Sequence, residues 1–146
     1  MMFAGSGREE LRRRYLTAWQ RRSGGLPLEP LDAQIADVIE MHPEYQALLQ
    51  DPDALAAEFT VEQGRTNPFL HMGLHLGLRE QIATHRPAGI EQVRARLANR
   101  LGDAHAAEHR MIEVLAETLW EAQRAGMPPD EQRYLRCIGS MASREG

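Results

Sequence analysis

Two histidine couples stand out in the 146-residue chain. His71 and His75 are four apart, and so are His105 and His109, with Glu108 between the second pair. Side chains four apart on a helix share one face, with Cβ atoms about 5–6 Å apart, so two imidazoles placed this way can share one ion. Six histidines scattered at random over this length would give about a quarter of one such couple, against the two found. His42 follows Glu40 and precedes Pro43-Glu44, which adds His42 and Glu44 as secondary or alternative ligand candidates. Neutral imidazole is the form that binds metal, and burial favours the neutral ring. Histidine combined with carboxylate suits zinc, iron or manganese.

The chemistry depends on which way these side chains face. Ile112, Leu115 and Leu119 define the core direction of the helix expected after Asp103. Steps of three and four back from them reach Glu108 and His105, with His109 on the flank. A buried carboxylate must be paired or bound to metal. The sequence therefore predicts His71, His75, His105 and His109 as metal ligands, with Glu108 as a ligand or as the base acting on a metal-bound water. The competing reading is a buried hydrogen-bond network in which Glu108 pairs with His105, His71 or an arginine such as Arg79 or Arg110. In that case the protein is a non-enzymatic interaction or scaffold protein, working through a surface near Trp19 or Trp120. His105-Ala-Ala-Glu108-His109 also matches the inverted zinc-protease string, but too little chain follows it to build that larger mixed domain. The Glu-x-x-His pair of di-iron bundles is missing in that order.

The elements that must position these residues are helical. Leu, Ala, Glu, Arg, Gln and Met dominate, and no stretch alternates long enough for a strand. The expected fold class is all-α: one domain over 1–146, a compact bundle of about five to seven helices. A first helix runs about 6–22, capped by Ser6 with Glu9 three residues on. It carries Leu11, Tyr15, Ala18 and Trp19 as its apolar stripe. A helical core covers about 30–125, and a last helix about 130–141. Within the core, Pro30 opens a helix, Pro43 breaks it, and a segment from Asp51-Pro52 to about Phe59 reads as helical. Pro68 opens a helix that is apolar nearly all round, to about His85. Further helices follow over about 89–101 and from Asp103 to about 125. If the helices opening at 68, 89 and 103 run up, down, up, both histidine couples lie at one end of the bundle.

Charge and composition exclude several classes. With 21 acidic against 17 basic residues the net charge is −4, so nucleic acid is an unfavoured partner. Arg12-Arg13-Arg14 and Arg21-Arg22 point several ways around the first helix and read as a solvated face. The stretch 69–78 is too short and polar to span a bilayer, and the start of the chain lacks an apolar leader core. Cys137 is the single cysteine, expected as a small core residue, and its solitude fits a reducing compartment. There is no nucleotide or flavin motif. All 17 basic residues are arginine, a bias of genome composition. The expectation is a cytoplasmic bacterial protein whose partners the sequence does not name, with a homo-oligomer compatible with it.

Five strings carry a family resemblance: His42-Pro-Glu-Tyr45, 67–75 (NPFLHMGLH), Arg86-Pro-Ala-Gly-Ile90, Glu108-His-Arg-Met111 and 119–124 (LWEAQR). Together they resemble the bacterial family known as domain of unknown function 1841, over about 8–135. The resemblance implies a proteobacterial cytoplasmic protein and assigns no reaction. It also implies a second histidine just after the tyrosine of the first string, where this chain has Gln46.

Overall fold

The computed structural model describes residues 4–51, 53 and 67–143, with only the backbone for 4–8. Every regular element among the described residues is helical: α1 (Ala4–Ser23), α2 (Pro30–Glu40), α3 (Pro43–Gln46), a 3₁₀ turn (Leu48–Gln50), α4 (Pro68–Thr84), α5 (Ile90–Leu101), α6 (Ala104–Ala125) and α7 (Glu131–Ser143). The all-α expectation holds. The helix expected from Pro52 to Phe59 lies outside the described residues. The chain divides into two compact units, 1–73 and 74–146, and the division falls inside α4.

In the first unit, α1 packs chiefly on α2. Tyr15, Leu16 and Ala18 are buried on α1, and Ile35, Ala36, Val38 and Ile39 on α2. Arg14 pairs with Asp32 at 2.7 Å, and Arg22 with Asp37 at 3.1 Å and Glu40 at 2.6 Å. Such half-exposed pairs contribute little each, about 0–1 kcal/mol, but fix the register of the two helices. Pro43 presets the first turn of α3 just after α2 has ended, which leaves Met41 and His42 as the link. Asn67 caps α4, its Oδ1 accepting from the amides of Phe69 (3.0 Å) and Leu70 (3.2 Å). Phe69 then meets Tyr15 edge-on at 6.0 Å and lies under the buried Arg12 guanidinium at 4.7 Å, which anchors the first turn of α4 on α1.

The second unit is built from the rest of α4 with α5, α6 and α7. Its core joins Leu78, Ile90, Val93, Leu97, Met111, Ile112, Leu115, Tyr134 and Ile138. Burial pushes the Tyr134 phenol pKa up, and its hydroxyl donates to Gln81 Oε1 at 2.8 Å. Gly102 takes the left-handed conformation (φ +73) that closes α5, its amide reaching the Ala98 carbonyl at 2.8 Å. Asp103 caps α6 at once, accepting from the His105 amide at 2.9 Å.

Four expectations need correction. The first helix starts at Ala4, ahead of Ser6, so Ser6 falls inside its first turn. Leu11 is 59% exposed, off the buried stripe set by Tyr15 and Ala18. Leu119 keeps the predicted direction, but α6 outruns its core, whose last buried member on that helix is Leu115. Cys137 is exposed rather than core, because Tyr134 and Ile138 set the buried face of α7 and Cys137 sits one residue, or 100° of turn, from Ile138.

Candidate functional site

In the first unit, His42 is fully buried between α2 and α3. Its Nδ1 lies 2.7 Å from the Val38 carbonyl. A carbonyl only accepts, so Nδ1 carries the proton, and in a neutral ring Nε2 would present a lone pair. The Tyr45 ring stacks on His42 at 5.3 Å and 14°, which fixes the plane of the imidazole. Burial, with help from nearby Glu44, pushes the Tyr45 phenol pKa up. His42 Nε2 faces His71 Nε2 at 3.1 Å, with the two rings nearly perpendicular at 79°. Glu44 itself is exposed.

In the second unit, His75 and Glu108 are both buried, and His75 Nε2 lies 2.7 Å from Glu108 Oε1. Arg79 Nε donates to the same oxygen at 3.1 Å. Arg94 grips the other oxygen twice, through Nε at 3.1 Å and Nη2 at 2.8 Å. Burial alone would push the carboxyl pKa up, but the hydrogen bonds from His75 and Arg94 and the charge of Arg79 outweigh it and hold Glu108 at about 2. An ionised carboxylate can only accept, so His75 Nε2 carries the proton and Nδ1 is the nitrogen left for another role. The half-buried His109 stands at 5.5 Å from His75 between ring centres, and His105 at 5.8 Å. His105 and His109 are themselves 4.1 Å apart.

The helix α4 carries one histidine of each group. His71 and His75 are one turn apart on it and share a face. Of the residues expected from sequence, the second unit brings His75, His105, His109 and Glu108 together, and the first brings His71 to His42. Glu44 joins neither group by a hydrogen bond among the described residues. Both Glu108 oxygens are engaged by protein donors. Arg94 was not foreseen. Its signal was available: it sits four after Ile90 and three before Leu97, an arginine on the apolar stripe of α5, which calls for a buried acid opposite.

The family model described as domain of unknown function (DUF1841) matches residues 7–140. The chain belongs to that family. No curated protein and no solved structure matches it.

Proposed function

We propose that this chain binds a divalent transition-metal ion in its first unit, with His42 and His71 as two of the ligands. The observation that carries the reading is the 3.1 Å approach of His42 Nε2 to His71 Nε2. Metal–nitrogen bonds of about 2.0–2.1 Å at a tetrahedral angle hold two ligand nitrogens about 3.3 Å apart. His42 has its Nδ1 proton engaged by a backbone carbonyl, the usual arrangement that turns Nε2 toward a metal.

In the second unit, His75 is held as a ligating histidine typically is, with one ring N–H donated to a carboxylate, Glu108. Glu108 would then orient a ligand instead of binding an ion or serving as a base, and His105 stands as a neighbour of His109. Imidazoles without thiolate suit zinc or iron better than manganese, which favours oxygen donors.

A second reading, a purely structural polar network, is favoured by Glu108, whose oxygens are satisfied with no ion required. Elemental analysis of untagged protein separates the two. The metal reading expects close to one equivalent of zinc or iron per chain, lost in His42→Ala and in His71→Ala. Metal-free protein whose thermal midpoint stays fixed on adding zinc, iron or manganese would overturn it, because an ion that binds the folded state must raise stability.

A further inference from the structure

A groove lies in the second unit, on the surface between α5 and α7. There Gln92, Val93 and Arg96 of α5 face Leu135, Arg136 and Gly139 of α7 across a groove of about 630 Å³. That volume is in the range of about 300–1,000 Å³ usual for small-molecule sites. The floor is aliphatic, from Val93 and Leu135, and each wall contributes one exposed guanidinium. Arg79, Arg94 and Arg133 of the same unit all pair with carboxylates. Arg96 and Arg136 pair with none among the described residues. Two uncompensated guanidiniums so placed leave a local positive charge in a chain whose net charge is −4.

Gly139 is the third observation. It sits inside α7, where alanine would hold the helix better, and a Cβ built there would meet no atom within 4 Å. The missing side chain therefore relieves no clash. Gly139 leaves its place in the groove lining without a side chain.

We propose that this groove binds an organic carboxylate on an aliphatic body. The chain would lie on Val93 and Leu135, and the carboxylate would be held by Arg96 and Arg136 through charge-assisted hydrogen bonds. The site is independent of the histidines, so it stands or falls apart from the metal reading.

Sodium octanoate is the probe, titrated into the full-length ¹⁵N-labelled protein at constant ionic strength. Sodium acetate and octan-1-ol serve as controls. The expected result is saturable shifts at the Gly89 and Gly139 amides and the Arg96 and Arg136 Nε signals. Arg96→Gln and Arg136→Gln should each weaken octanoate by about tenfold while leaving the rest of the spectrum in place, since both side chains are exposed. Gly139→Leu should abolish the shifts and raise the thermal midpoint, which separates a blocked groove from a damaged fold. Equal shifts with acetate would reduce the effect to charge alone, and equal shifts with octan-1-ol to apolar contact alone. Either result, or octanoate binding unchanged in both arginine variants, overturns the proposal.

Discussion

Replacing Glu108 by glutamine tests the electrostatics of the second unit with almost no change of shape. The carboxyl moves from an ordinary value of 4.5 to about 2 on folding. That drop is equivalent to stabilisation on the order of 3 kcal/mol at neutral pH. Removing one partner of a buried charge network costs about 3–5 kcal/mol. The low end applies here, because Arg79 and Arg94 are 41% and 31% exposed and regain water. The sign follows from the depressed folded value. The stabilisation is complete above about pH 4.5, where the unfolded carboxyl is ionised, and it is lost as the pH falls toward 2. Urea melts of chelator-treated protein at pH 7, 4.5 and 3 measure it. Glu108→Gln should unfold more easily than wild type by on the order of 3 kcal/mol at pH 7, and most of the gap should be gone at pH 3. A gap below about 1 kcal/mol at pH 7, or one that persists undiminished at pH 3, refutes the reasoning.

Two further predictions follow from local geometry. Asp103→Ala removes the cap of α6 and should lower stability by about 1 kcal/mol in urea melts, whereas Asp103→Asn should keep most of it. Cys137, exposed on α7, should react fully with an aromatic disulfide reagent in the folded protein, at a rate that urea scarcely raises.

The helices were legible because their punctuation is local. Pro30, Pro43, Pro68, Gly102 and Asp103 mark real ends, and each acts through its own backbone geometry or a cap one turn long. Glu108 was legible as buried because the spacing of Ile112 and Leu115 fixes one face of α6. Its partners were only partly legible: Arg79 was among the candidates, while His75 and Arg94 depend on how three helices pack, which periodicity on one helix does not specify. The same limit explains His42. Its tie to His71 spans 29 residues of chain and depends on the α2–α3 junction and on Phe69 seating α4 against α1. Trp120 is 56% exposed and is covered on one face by Arg124 at 4.7 Å, an environment that residue type alone does not specify.

The ring nitrogens themselves decide the metal question. Long-range ¹H–¹⁵N correlation spectra of the imidazoles, recorded while zinc is added to chelator-treated protein, report the state of every nitrogen. Binding predicts that His42 Nε2 and His71 Nε2 move together and saturate at one equivalent, while His42 Nδ1 keeps its proton. If those nitrogens stay where they were, with a proton shared between His42 Nε2 and His71 Nε2, the pair is an ordinary hydrogen bond and the metal account is wrong.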